Sequence, residues 1–280
     1  NNSKFFEYLE LLFKLSPMIS DIHFFIKFKM KLAIISTINN LNLYEKGDIL
    51  YYLPHIDDIN YIKFFKTHNK MYKISDNSVW EDKQLNMAEF VLKSLFIDAD
   101  EIVIPDIIGD MRRTITQKYV FMKWYYKDVK DKGMFVQAVI QGKTVKEIMY
   151  CYERFCRDKR IDVIGVPFAL TPLKLHKEKY INQMLNRLTI IDKLNKVYNK
   201  KPIHLLGLNH PNELFDLRKY KFIRSNDSKL AVRCAINNVK FENYKTKPLL
   251  PLDFNYKLNK QQEETALHNI NYLKQLVKDD

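Results

Sequence analysis

Eight short runs rich in β-branched and apolar residues, each followed by a stretch of different periodicity, constrain this chain more than any other feature. They are KLAIIST (31–37), DILYYLP (48–54), MYKISD (71–76), EIVIPD (101–106), MFVQAVIQG (134–142), DVIGVPF (162–168), PIHLLGL (202–208) and KFIRSND (221–227). Several are almost continuously apolar, as strands covered on both faces must be. Between them, helical spacing predicts helices over 86–96, 111–133, 144–159, 177–200 and 211–220. Thr144 and Glu147 have capping-box spacing, Gly133 is a C-cap, and Pro211 suits a first helical position. The alternation predicts an α/β fold, a (β/α)8 TIM-type barrel over 31–228. A doubly wound open sheet is the alternative, because periodicity does not report closure. The second repeat is the least defined: ILYYLPHIDDINYIKFF reads as one strand, two, or a strand and a short helix. Residues 1–30 form an N-terminal extension and 229–280 a C-terminal helical one, ending in QQEETALHNINYLKQLVKD. No low-complexity linker intervenes, so 1–280 is read as a single domain.

In such a barrel the C-terminal ends of all strands meet on one face, where active sites are built. Four of the runs end at or beside Asp76, Asp106, Gln141 and Asp227, which the barrel would bring together. Carboxylates around one pocket take distinct roles, one as a nucleophile and another as a proton carrier. A carboxylate accepts two N–H bonds and a glutamine both donates and accepts, a set suited to the edge of a heterocycle. Any one such aspartate is more often a helix cap or a solvated loop residue. That description suits Asp110 well and Asp106 tolerably. Three carboxylates and an amide on matched strand ends are harder to explain as caps.

The formal charge of +13, from 46 Lys and Arg against 33 Asp and Glu, points to a polyanionic partner. Abundant Lys, Asn and Ile would also follow from an AT-rich genome. Of only six glycines, Gly109, Gly142, Gly165 and Gly207 lie in or just after the strand-like runs, where backbone approaches a ligand. Cys151, Cys156 and Cys234 form neither a disulfide framework nor a Cys-x-x-Cys pair. FFEYLELLFKL is broken by Glu7, Glu10 and Lys14, so no secretory signal is read, and no run reaches the length of a membrane span. The expected setting is a reducing cytoplasm, that of the host if the chain is viral. No histidine pair has metal-binding spacing; His204 falls on a strand and His210 in a loop.

In order, the chain shows Asp followed by an aromatic (SDNSVW), then VIPD, AVIQG, IGVP, HLLGLNHPNEL and RSNDS. Over roughly residues 31–228 this resembles the tRNA-guanine transglycosylase superfamily, and most closely its phage and bacterial DNA 7-deazaguanine transglycosylase branch. HLLGLNHPNEL is similar to that family's Leu-Gly-x-Gly-x-Pro-x-x-Leu segment and VIQG to its Val-Gln-Gly segment. The resemblance implies a transferase that exchanges guanine in DNA for a free 7-deazaguanine base such as preQ0, without a cofactor, protecting phage DNA from restriction. It implies that Asp227 attacks C1′ of the sugar and that Asp76 is the general acid and base. Asp106, Gln141 and Gly142 would read the base edge, with backbone from Gly165 and Val166. Trp80 and Leu206 would lie on its two faces, although a lone Trp or Leu at a strand end is more often core. Arg224, Lys229, Arg233 and Lys240, near Asp227 in sequence, would hold phosphates of a flipped or single-stranded substrate.

The chain departs from the family at two points. The tRNA-acting members carry zinc on a Cys-x-Cys-x-x-Cys and a later His. Here only Cys234 follows the last strand and His268 is distant, so no zinc subdomain and no metal are expected. NSVW also replaces the glycine-rich turn after the first aspartate. Both departures favour DNA over tRNA, which remains the alternative substrate. A catalytically silent nucleic-acid-binding barrel, alone or with a partner protein or second copy, and another kind of sugar-processing barrel complete the alternatives.

Overall fold

Eight parallel strands follow the eight runs. The structure, a computed structural model, describes residues 29–83, 85–170, 179–197, 201–245 and 250–278, with backbone only over 179–186. The strands are β1 (Lys31–Ile34), β2 (Ile49–Tyr52), β3 (Tyr72–Ser75), β4 (Glu101–Val103), β5 (Phe135–Val139), β6 (Val163–Pro167), β7 (Ile203–Leu206) and β8 (Ile223–Ser228). Each pairs with the next, and β8 returns to β1 with Ala33 opposite Asp227. The sheet is therefore a closed (β/α)8 barrel and not an open one. Of the expected N-terminal extension, 1–28 lies outside the described residues.

The helices are α1 (Ile59–Thr67), α2 (Met87–Phe96), α3 (Met111–Trp124), α4 (Tyr126–Asp131), α5 (Val145–Arg157), α6 (Lys179–Asn195), α7 (Asn212–Leu217), α8 (Leu230–Ile236) and α9 (Lys260–Leu276). Short polar side chains start them: Asp58, Asn86, Asp110 and Thr144 each accept from a backbone N–H three residues on, worth about 1 kcal/mol apiece. Asp58 resolves the ambiguous second repeat as a strand followed by a short helix. Glu147 reaches back to Lys143 N, one residue beyond a capping box. The stretch 111–133 is two helices, because Tyr125 leaves helical geometry at φ −125°; Gly133 then ends the second at φ +75°.

Between β1 and β2 the chain makes a 3₁₀ segment, Ile38–Lys46, where the barrel pattern calls for a helix. The C-terminal arm covers this gap. Helix α9 packs against α7, α8 and the 3₁₀ segment, and Asn40 Oδ1 accepts from Leu258 N. The C-terminal extension thus completes the barrel wall, with α8 in the eighth helix position. Aromatic rings fill the seam between strands and helices here: Tyr44, Tyr52 and Tyr61 pack on Phe65 with centroids 4.8–5.4 Å apart.

The lower end of the barrel is closed by charge. Arg224 Nη2 donates to Glu101 Oε1 at 2.6 Å, and Tyr72 Oη donates to Glu101 Oε2 at 2.8 Å. Arg224 reaches inward through a β-bulge. Ile203 pairs with Ile223 but His204 pairs with Ser225, so Arg224 is the extra residue and both it and Ser225 face the interior. Arg224 therefore does not stand at the mouth as a phosphate contact. It sits at the opposite end, 17% exposed and committed to a fully buried carboxylate.

Candidate active site

The C-terminal ends of the strands open onto a cavity of about 1020 Å³, at the top of the ~300–1,000 Å³ range usual for small-molecule sites. Asp76, Asp106, Gln141 and Asp227 all line it. They are only 3–7% exposed, so a reactant reaches them through the cavity. The strand ends predicted from sequence to converge do converge.

Asp227, on β8, is held on one oxygen. Gly207 N donates to Oδ1 at 3.0 Å, and His204 Nε2 lies 3.1 Å from the same atom. Gly207 aims its N–H there from a backbone at φ +68°, a conformation that favours glycine. That peptide is braced from behind: Arg187 donates to Leu206 O and Gly207 O, both at 3.0 Å, and Asn226 Nδ2 donates to Gly207 O at 3.0 Å. Arg187 is fixed by a bond of 2.6 Å to Glu213, both side chains fully buried.

Asp76 follows β3 directly. Tyr51 Oη donates to its Oδ1 at 2.9 Å and Ser78 N to its Oδ2 at 3.0 Å. Burial above all, then the charges of Glu81 and Asp227, raise the Asp76 pKa to about 8, against the opposing pull of the Tyr51 and Ser78 donors. Asp76 therefore keeps its proton at neutral pH. Tyr51 is itself held far above the ordinary tyrosine range, first by burial and then by the Asp227 and Asp76 charges, so it serves only as a phenol donor. Its ring lies flat on the His204 ring, centroids 5.7 Å apart and planes 15° from parallel. One stacked pair thus links the two carboxylates.

Asp106 accepts from Asn77 Nδ2 at 2.7 Å and from Gln141 Nε2 at 2.6 Å. Gln141 Oε1 in turn accepts from Gly109 N. Burial raises Asp106 to about 6, while the two amides pull it down. It caps no helix; it is the centre of an amide–carboxylate–amide edge on the cavity wall. On the same cavity's lining, Trp80 is half exposed and meets Phe168 edge-on, with ring centroids 4.5 Å apart. Leu206 also lines the cavity.

Other sequence-predicted positions lie elsewhere. Gly142, Gly165 and Val166 are buried and do not line the cavity. At Gly142 a Cβ would sit 2.8 Å from Ile148 N at the start of α5; at Gly165 it would meet Leu206 Cδ1 at 2.7 Å and Gln137 Nε2 at 2.8 Å. Both glycines are explained by packing, not by room for a ligand. Pro167, the last residue of β6, and Phe168 after it line the cavity instead. Lys229 does reach the mouth, paired with Glu81 at 2.7 Å. Arg233 also lines it, with Nε donating to Leu250 O. Lys240 stands apart, in a surface hollow with Gln261 and His268.

Sequence reasoning missed Tyr51, Asn77, Glu81, Phe168 and the role of His204. For His204 there was a signal, since it lies two residues before Leu206 and so shares its face of the strand. The other four depend on contacts between strands. The rim is more acidic than the net charge suggests: Asp57, Asp58, Glu81 and Asp253 join the three aspartates, against Lys83, Lys229 and Arg233. Among the described residues no group of three or more His, Cys, Asp and Glu side chains is placed to hold a metal ion, and no helix is long and apolar enough to cross a membrane.

Chemically the site offers an acid that retains its proton at pH 7, a second carboxylate held on one oxygen by Gly207 N and His204 Nε2, and a polar edge in the same cavity as an aromatic pair. Environments that separate two carboxylates in this way allow one to attack while the other moves a proton. No family model matches the chain, and no curated protein matches its sequence.

Proposed function

We propose that the protein is a transglycosylase that exchanges guanine in DNA for a 7-deazaguanine base through a covalent Asp227–sugar intermediate. The observation that carries this reading is the convergence of Asp76, Asp106, Gln141 and Asp227 on one cavity. Asp227 attacks C1′; Asp76, protonated at neutral pH, gives its proton to the departing base and recovers one from the incoming base. Asp106 and Gln141 recognise the base edge, and Trp80 supplies a stacking face. The reading requires the target nucleotide to be flipped out or single-stranded. Because the rim is acidic, phosphates are held further out. Exposed Arg112, Arg113 and Lys143, on the segments that leave β4 and β5 at the mouth, are suited to this.

Incubation with labelled guanine-containing DNA and free preQ0 tests the proposal. Expected are release of guanine, incorporation of the new base, and a denaturation-resistant protein–DNA adduct, all absent in Asp227→Asn. No release and no incorporation by the parent protein refutes base exchange. A tRNA that is modified in place of DNA redirects the reading to the other branch.

A further inference from the structure

Asp227 is restrained from one side. Both hydrogen bonds fall on Oδ1, and Oδ2 carries none among the described residues, while the side chain lines the cavity. One of the two donors is a histidine, which donates only if the ring nitrogen facing the carboxylate carries the proton. His204 Nδ1 lies 2.8 Å from Ser225 Oγ. A carboxylate has no hydrogen to give, so a bare Nε2 would face it lone pair to lone pair. The serine hydroxyl can donate. Nε2 therefore carries a hydrogen directed at Asp227 Oδ1, and the Ser225 hydroxyl is the partner of Nδ1. Full burial and the stack on Tyr51 hold the ring in that orientation. The groups facing it are Tyr51 on β2 and Ser225 and Asp227 on β8.

We propose that His204 is the positioning residue of Asp227: through an Nε2–H it pins Oδ1, leaves Oδ2 as the attacking oxygen, and stabilises the carboxylate when it is expelled. The proposal rests on the base-exchange reading. In the first half-reaction an Oδ2 lone pair forms the bond to C1′ as the C1′–N bond breaks. That bonding pair leaves with guanine, which takes the Asp76 proton. In the second, the incoming base gives a proton to Asp76 and attacks C1′ through nitrogen, and the C1′–Oδ2 pair returns to Asp227. Negative charge is consumed on the carboxylate in the first step and regenerated in the second. A donor on Oδ1 therefore restrains attack and assists release, two effects of opposite sign on one reaction.

Rapid-quench measurement of the protein–DNA adduct separates the steps. In His204→Phe, adduct formation on labelled DNA is expected not to slow. Its release on a chase of free preQ0 slows by about 10- to 100-fold, the loss of one hydrogen bond to a charged group, so the adduct accumulates. His204→Gln, whose side-chain amide can donate from near the Nε2 position, restores release. Release at the parent rate in His204→Phe, or equal slowing of both steps, overturns the proposal. Absence of any adduct in the parent refutes the base-exchange reading instead. The histidine is then judged by nitrogen NMR of the resting, unsubstituted protein. A His204 proton on Nε2 supports the positioning role, and a ring protonated on Nδ1 alone overturns it, whether or not the variants fold.

Discussion

Replacing Asp76 by Asn should spare the protein a loss of stability that wild type suffers as the pH rises, and should abolish base exchange. The carboxyl titrates near 3.8 when exposed and near 8 in the folded site. Between those values the unfolded chain gives up a proton that the folded chain keeps. A group raised on folding contributes its stability fully at low pH and loses it as pH climbs toward the folded value. The slope approaches ~1.4 kcal/mol per pH unit, so by pH 7 wild type forfeits on the order of 4 kcal/mol relative to acid conditions. Asn cannot titrate, and its amide oxygen still accepts from Tyr51 or Ser78. Urea unfolding of both proteins at pH 5, 6, 7 and 8 measures the difference directly, because Asp106 and every other titrating group is common to both. The stability gap should widen in favour of Asp76→Asn with each step and level off above pH 8. Parallel profiles, or a gap that narrows with pH, refute the assignment of Asp76 as a buried neutral acid. Base exchange should be lost in the variant at every pH.

Two further expectations concern the scaffold. Arg187→Leu strands the Glu213 carboxylate in the interior and should cost about 3–5 kcal/mol in thermal or urea unfolding, with Arg187→Leu/Glu213→Leu recovering most of it. A single variant as stable as wild type would mean that the pair does not brace the β7 turn. Gly207→Ala places a Cβ 2.5 Å from the Phe168 ring at φ +68°. The strain of a left-handed non-glycine residue is about 1–2 kcal/mol, and the steric conflict adds to it. A lowered Tm together with reduced adduct formation is expected; an unchanged adduct yield would detach Gly207 from the placement of Asp227.

The barrel was legible because its signal is repeated. Each strand announces itself by β-branched residues, and eight weak announcements in alternation with helices leave few architectures. The gap at Ile38–Lys46 was not legible, because nothing local in that asparagine-rich segment states that α9, more than two hundred residues later, covers it. The single reading of 111–133 failed at Tyr125, where no proline or glycine marks the break. For the site, strand ends located Asp76, Asp106, Gln141 and Asp227, since their convergence follows from topology alone. Partners such as Tyr51 and Asn77 follow from register and rotamer, which one sequence does not encode locally. Proximity in sequence placed Lys229 and Arg233 at the mouth but failed for Lys240 and for Arg224, which lies three residues from Asp227 yet is turned by the bulge to the floor of the barrel.

That one-residue irregularity in β8 divides the strand into two independently phased halves. Above it, Ser225 and Asp227 keep step with His204; below it, Arg224 keeps step with Glu101 and Tyr72. Removing residue 224 would regularise the ladder without rotating Asp227 out of the cavity, and the loss would be felt at the far end, where Glu101 would keep the Tyr72 hydroxyl but lose its counter-charge. The cavity end of the strand and its anchoring end are thereby held by separate sets of contacts, a separation that an uninterrupted strand of strict alternation does not offer.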